Sequence, residues 1–272
     1  MNKWGKLSLG MLLAVGLLSG CGQNKNDSDT AASGDATNGG ATKKLTMGTS
    51  ADFPPYEFHK VVDGKDTIVG FDIDIAKEIA ADMGAELVIK DLPFDSLLNE
   101  LSSGRVDIVI SGLSPTEERK KAVDLSDIYY KAEQAIVVRE ADKDKYATMD
   151  AVKGTKIGVQ TGSIQEEIAK GIEGAKITSL GKISEIVLQL QSNRVDTAII
   201  EGPVAKSFVK NVPGLVITDA KPVVEDDGYA IGIKKGNKEL LDQVNSTLTR
   251  LNSEGKIDEF VTAASELADS TK

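Results

Sequence analysis

The stretch Ser114-Pro115-Thr116-Glu117-Glu118-Arg119 carries the plainest chemistry in the sequence. A Ser with Glu three residues later and Pro between them predicts a helix capped by Ser114, with Pro115 at its first position. The free amides and positive dipole end of such a helix favour an anion. Arg119, in that first turn, can add a two-pronged contact to a carboxylate. The plainer alternative is that Ser114 only caps and Arg119 only meets solvent among its charged neighbours. Thr161-Gly162-Ser163-Ile164-Gln165-Glu166 offers a second helix start, again with Ser and Glu three apart. Glu201 ends the apolar run Thr197-Ala198-Ile199-Ile200 and precedes Gly202-Pro203. It either caps a helix beginning at Pro203 or faces an ammonium group. Arg119 and Glu201 together read as a clamp for a zwitterion, which suggests a free amino acid. Phe53 and Phe94 are candidates to hold a ligand side chain between ring faces, by cation–π attraction if that side chain is basic. Tyr56 and Phe58 are expected to pack under the Pro54-Pro55 turn, and His59, alone in a loop, has no role.

Composition narrows the chemistry further. The 272 residues include one Cys and one His, too few for a zinc or iron–sulfur site, a disulfide framework or a Cys–His nucleophilic pair. No metal and no cofactor is therefore expected. With 32 Lys+Arg against 42 Asp+Glu the net charge is −10, which argues against a nucleic-acid groove.

The amino-terminal end stands apart. Lys3 and Lys6 precede an apolar, small-residue run from Leu7 to Gly20, too short to span a hydrocarbon core of about 30 Å. Residues 1–20 read as a secretory signal peptide. The run ends in Leu18-Ser19-Gly20-Cys21, which resembles the lipobox of bacterial lipoproteins, and the sole Cys of the chain sits at that position. Lipidation of Cys21 with more than one acyl chain gives stable membrane anchoring. Residues 22–42 lack aromatics, Val, Leu and Ile, so 21–42 reads as a lipidated Cys followed by a flexible tether. Function then lies in the residues from 43 onward, at the extracytoplasmic face of a membrane.

The elements that must position the site alternate strand and helix, the pattern of a parallel-sheet α/β layer. Strand 45–49 leads to the aromatic loop, and Val62-Asp63-Gly64-Lys65 predicts a hairpin turn. Helix 72–83, capped by Asp72, strand 86–90, helix 95–103 and strand 106–110 follow. A related unit recurs 89 residues later: Leu101-Ser102-Ser103-Gly104-Arg105-Val106-Asp107 matches Leu190-Gln191-Ser192-Asn193-Arg194-Val195-Asp196. Each unit ends a helix at Gly or Asn and opens a buried strand with Arg-Val-Asp. The first strand runs into Ser111-Gly112-Leu113-Ser114 and the second into Glu201. Ligands of open α/β sheets sit beyond the carboxyl ends of strands, so two facing lobes would bring Ser111–Ser114 opposite Glu201. Apolar runs 134–138 and 228–233 are the two crossings between lobes. Lobe one is then 43–134 plus 229–272 and lobe two the insert 137–226. Amphipathic helices are predicted over 238–253 and 256–267.

These residues resemble the polar amino-acid-binding proteins of ABC importers. The likeness is carried by Thr49-Ser50-Ala51-Asp52-Phe53-Pro54-Pro55-Tyr56-Glu57-Phe58, Gly70-Phe71-Asp72-Ile73-Asp74-Ile75-Ala76, the run from Ser111 to Lys121, and Gly158-Val159-Gln160-Thr161-Gly162-Ser163. It implies a two-lobed type II periplasmic-binding (Venus flytrap) α/β fold with two hinge strands. By that resemblance Arg119 pairs with a ligand α-carboxylate, assisted by Ser114 and the loops at Ser111, Gly112 and Ile164. Glu201 holds the α-ammonium, and Phe53 and Phe94 stack on the side chain. Ser50 stands where members that bind basic amino acids often carry an acid, and Ile164 replaces a frequent Thr. Asp52, Glu57 and Asp91 remain available to a cationic side chain. The implied protein is a monomeric binder, not an enzyme, whose partners are a free amino acid and a membrane permease. Cleft enzymes of the same fold, dehydratases or transglycosylases, and a solute-sensing domain are the alternatives.

Overall fold

The structure, a computed structural model, describes residues 43–222 and 228–270. The expected signal peptide (1–20) and the expected lipidated Cys21 and tether (21–42) lie outside the described residues. Strands β1 (Lys44–Thr49), β2 (Asp52–Phe53), β3 (Glu57–Val62) and β4 (Lys65–Val69) come first. The β3–β4 hairpin turns at Asp63 and Gly64, both at positive φ, which only short or absent side chains tolerate. Next are α1 (Phe71–Asp82), β5 (Glu86–Asp91), α2 (Leu97–Ser102) with a 3-10 turn at Phe94–Ser96, β6 (Ile108–Val109), α3 (Glu117–Ala122) and β7 (Val123–Leu125). The chain then forms β8 (Gln134–Arg139), α4 (Met149–Val152), β9 (Lys156–Gln160), α5 (Ile164–Lys170), β10 (Lys176–Leu180), α6 (Ile183–Gln191), β11 (Thr197–Glu201), α7 (Gly202–Asn211) and β12 (Leu215–Ile217). It closes with β13 (Gly232–Lys234), α8 (Lys238–Ser253) and α9 (Lys256–Asp269).

Two five-stranded sheets have matching orders, β5-β1-β6-β13-β7 and β10-β9-β11-β8-β12. The first three strands of each are parallel, as alternating strands and helices require. The fourth is not. β13 runs antiparallel to both β6 and β7, and β8 antiparallel to both β11 and β12. The α/β layers are parallel except at one place: each sheet admits one strand that arrives from the other lobe and so enters from the opposite end. The first crossing is corrected: residues 134–139 form β8 inside the second sheet, so the chain passes between the lobes ahead of β8, and there Tyr130 forms an antiparallel bridge with Tyr229 of the second crossing.

The 89-residue repeat is one of hydrogen bonding as well as of letters. Gly104 and Asn193 take left-handed φ values of 75° and 61°. Arg105 N donates to Glu100 O and Arg194 N to Gln189 O, each at 2.9 Å. Asp107 N reaches Thr46 O at 2.8 Å while Asp107 Oδ2 accepts from Thr46 N at 2.8 Å. Asp196 and Lys156 make the same reciprocal clasp at 2.8 and 2.9 Å. Each unit also lies over a glycine of the neighbouring strand. A Cβ on Gly48 would meet Leu97 and Val106, and one on Gly158 would meet Ile186 and Val195.

Both faces of each sheet are covered. Leu97, Leu101, Val106 and Val109 pack on one face of the first sheet, and Ile136, Val138, Ile157 and Ile199 on one face of the second. A continuous core fills the others, with α8 contributing Leu240, Val244, Leu248 and Leu251 at helical spacing.

Two predicted helix starts are corrected. α3 is capped not by Ser114 but by Thr116, whose Oγ1 accepts from Arg119 N at 3.3 Å, and Pro115 lies outside the helix. Thr116 can serve as cap because its extended backbone (φ −63°, ψ 153°) aims the hydroxyl at the third helical amide. α1 follows Gly70 with no side-chain cap, since Asp72 points inward instead.

Candidate functional site

Each predicted site residue can be followed to its place. β6 delivers Ser111–Ser114 at the end of the first sheet, and Ser111 and Ser114 are buried. Gly112 sits at φ 52°, and a Cβ there would come within 2.9 Å of the Phe53 ring, so this loop needs glycine for both conformation and space. Ser50 is buried beside it, its amide donating to Ser111 Oγ at 3.2 Å. Arg119 reaches back along the loop. Its Nη1 donates to Ser114 O at 2.9 Å, its Nη2 to Gly162 O in the second lobe at 2.9 Å, and its guanidinium lies 5.5 Å from the Phe94 ring centroid.

In the second lobe Ser163 caps α5 as predicted, and Glu166 reaches back one residue beyond the cap. Ser163 Oγ accepts from Glu166 N at 3.3 Å, and Glu166 Oε2 accepts from Gly162 N at 2.9 Å. Ile164 is the first residue of α5 and half-buried. Glu201 is fully buried at the junction of β11 and α7, where Pro203 occupies the first turn. Its Oε2 accepts from Val204 N at 2.9 Å, the cap, and its Oε1 accepts from the Tyr56 hydroxyl at 2.7 Å. Burial pushes its carboxyl up to about 8. The two readings of Glu201 are thus not exclusive: it caps its helix and also faces the first lobe.

Asp52 makes a third bond across the lobes. Its Oδ2 accepts from Ile183 N at 2.6 Å, at the start of α6, whose own cap residue Lys182 offers no side-chain bond. The first lobe therefore supplies the missing cap of a second-lobe helix. Burial raises the Asp52 carboxyl to about 6. Arg119–Gly162, Tyr56–Glu201 and Asp52–Ile183 are three direct bonds between the lobes.

Phe53 leans on Gly112 and lies 5.1 Å from Tyr56, while Phe94 lies against the Arg119 guanidinium. Two sequence expectations change. Glu57 is withdrawn from any ligand, being wholly buried against Ser111 and Asp72. Tyr56 does more than pack. Its ring sits 4.3 to 5.7 Å from those of Phe53, Phe71, Tyr130 and Tyr229, and that cluster aims its hydroxyl at Glu201. No local signal marks Tyr56, because its partner is 145 residues away. A buried chain of Gln165, Gln134 and Tyr229, at 2.7 and 3.4 Å, was likewise invisible to periodicity. Asp91 accepts from Ala51 N at 2.9 Å and meets His59, which also contacts Asp66.

Two cavities of about 560 and 310 Å³ open beside the crossings and share Tyr130, Pro203 and Lys206. None of the predicted site residues lines either one. Both cavities are lined by charges of either sign, Lys206 with Glu133 in one and with Asp269 in the other, whereas Arg119, Glu201 and Asp52 make their bonds across the interlobe surface.

Two open α/β sheets with crossing strands, an Arg on one side and a buried Glu on the other, define a two-lobed solute-binding protein. The chain belongs to the bacterial extracellular solute-binding proteins, family 3, whose model matches residues 45–263. It is 38% identical over 266 residues to the arginine-binding extracellular protein ArtP of Bacillus subtilis, covering 96% of each chain. It is 30% identical over 221 residues to a probable histidine-binding protein of Campylobacter jejuni, covering 81% of this chain and 84% of that one. Among solved structures it resembles the amino acid ABC transporter substrate-binding protein AbpA from Streptococcus pneumoniae bound to L-arginine. That match has a TM-score of 0.81 and 40% identity over 84% of this chain and 97% of the other. Membership in a solute-binding family decides between binder and enzyme in favour of the binder.

Proposed function

We propose that this protein binds a free amino acid with a basic side chain, arginine foremost, between its lobes and delivers it to an ABC importer permease. The observation that carries the reading is Arg119, held by Ser114 O and Phe94 and pointed across the lobe boundary at Gly162. A ligand α-carboxylate entering there exchanges two neutral carbonyl acceptors for a charged one, which binds a guanidinium about twice as strongly. Ser114 and the start of α5 at Ile164 add amide donors, Gly112 lets the loop approach closely, and Glu201 with its spare lone pairs receives the α-ammonium. Ser111 and Ser50 line the floor. Phe53 and Phe94 flank the side chain, and Asp52, with one buried oxygen lacking a donor, offers the acid that Ser50 does not. A ligand that touches both lobes favours the closed arrangement. The relatives that bind arginine support the choice of side chain.

Cys21 carries the lipid that holds the domain at the extracytoplasmic face after removal of the signal peptide, and the protein acts as a monomer. Among the described residues no helix is long and apolar enough to cross a membrane. Titration calorimetry across the twenty amino acids tests the proposal: one molecule of L-arginine bound per chain is expected, with Arg119→Ala abolishing the heat. Absence of binding by any basic amino acid overturns it.

A further inference from the structure

Glu57 and Asp72 are both completely buried, and their hydrogen bonds are unequal. Asp72 Oδ2 accepts from two donors, Gly112 N at 3.2 Å and the Tyr129 hydroxyl at 3.0 Å. Glu57 Oε1 accepts from Ser111 Oγ at 2.5 Å. The other oxygens, Glu57 Oε2 and Asp72 Oδ1, have no donor, although the two carboxyl groups are within hydrogen-bond reach of each other. Two ionised carboxylates so placed set acceptor against acceptor and charge against charge in a site closed to solvent. The further charged groups they feel, Asp52 beside Glu57 and Glu201 beside Asp72, are also acids and offset nothing. A single proton between the two removes both penalties.

We propose that Glu57 and Asp72 share one proton, carried on Glu57 Oε2 and donated to Asp72 Oδ1, and that this pair positions the Ser111–Gly112 loop for the ligand. The side follows from the donors. Asp72 has two donors on its other oxygen and is the better supported carboxylate, so Glu57 keeps the proton. Burial raises both carboxyls, that of Glu57 well above the usual range. The pair ties β3, the start of α1, the loop after β6 and Tyr129 of the first crossing into one network. Ser111 Oγ extends it to Ser50 N at 3.2 Å. Gly112 gains a fixed amide and Ser111 a fixed hydroxyl, so the loop cannot drift as the lobes move. The positioning role rests on the binding function proposed above; the shared proton does not.

The test uses the full chain and two readouts. In the infrared at neutral pH, the wild-type minus Glu57→Gln difference spectrum is expected to contain the carbonyl stretch of a protonated carboxylic acid; carboxylate bands alone overturn the shared proton. In calorimetry with L-arginine, Glu57→Ala is expected to weaken binding by about tenfold or more, since it strands the Ser111 hydroxyl and an Asp72 oxygen. Glu57→Gln, whose amide donates to Asp72 and whose oxygen accepts from Ser111, restores affinity to within about threefold. If Glu57→Ala fails to fold, the double variant Glu57→Gln/Asp72→Asn supplies the contrast. Its surplus amide hydrogens then face Gly112 N, and binding weakens where Glu57→Gln alone does not. Glu57→Gln as damaging as Glu57→Ala or as the double variant overturns the positioning role. If wild type binds no amino acid, the functional reading fails while the infrared difference still decides the proton.

Discussion

The helix-to-strand turns at Gly104 and Asn193 make the same hydrogen bonds to within 0.2 Å, down to the Asp that clasps the neighbouring strand. Five residues further along, the two lobes diverge completely. The position that is Gly112 in the first lobe, at φ 52° with its amide on Asp72, is Glu201 in the second, at φ −60° and capping a helix. The backbone scaffold is thus repeated while the charge is not. The first lobe sends forward a cation, Arg119, together with the carboxyl of Asp52; the second sends forward the carboxyl of Glu201, which burial raises to about 8. The two repeated strand ends thus lead to different groups, a guanidinium and an acid, which is the asymmetry that the proposed zwitterion site needs.

That contrast can be broken at several points. The largest effect is expected at the charges: Arg119→Ala should cost about 2–5 kcal/mol of amino-acid binding, and Glu201→Gln a comparable amount. Calorimetry on both separates the lobes; full affinity in Glu201→Gln would reduce the second lobe's acid to a helix cap. Next comes pH. Glu201 and Asp52 titrate at about 8 and about 6 in the folded protein, above their ordinary 4.5 and 3.8, because they are buried. The native state holds protons that the unfolded chain releases, so their stabilising contribution is full below about pH 4 and is lost as pH rises through about 6 and then about 8. Urea unfolding from pH 4 to 8 should show this decline, with Asp52→Asn flattening its lower part and Glu201→Gln its upper part. A smaller effect tests the scaffold: Asp107→Ala and Asp196→Ala should each lower stability by about 0.5–1.5 kcal/mol. Unequal losses in urea denaturation would show the repeat to be one of geometry without shared energetics. The smallest change is the swap of caps. Gly104→Asn and Asn193→Gly should each shift stability by less than about 0.5 kcal/mol, since both residues tolerate the left-handed turn.

What could be read from residues alone was what local physics enforces. Asp63-Gly64 can hardly be anything but a tight hairpin turn, and the Leu and Val spacing of 238–253 has one helical solution. The Ser163 cap formed because Ser163 and its partner Glu166 lie within one turn. Ser114 and Asp72 were misjudged as caps for the converse reason. Each has a cap-forming side chain at a helix start, but Thr116 competes for the first role, and a buried network claims Asp72.

Sequence by itself determined the alternating elements, the repeated Arg-Val-Asp unit and the presence of Arg119 and Glu201 at element ends, because these depend on spacings of a few residues. Only the tertiary structure decided that β8 and β13 run against their neighbours, that Asp52 caps a helix of the other lobe, and that Tyr56 meets Glu201. It also decided that Glu57 and Asp72 face each other, closed off from solvent. Such contacts join residues far apart in the chain, and their energies come from burial, which no local pattern records.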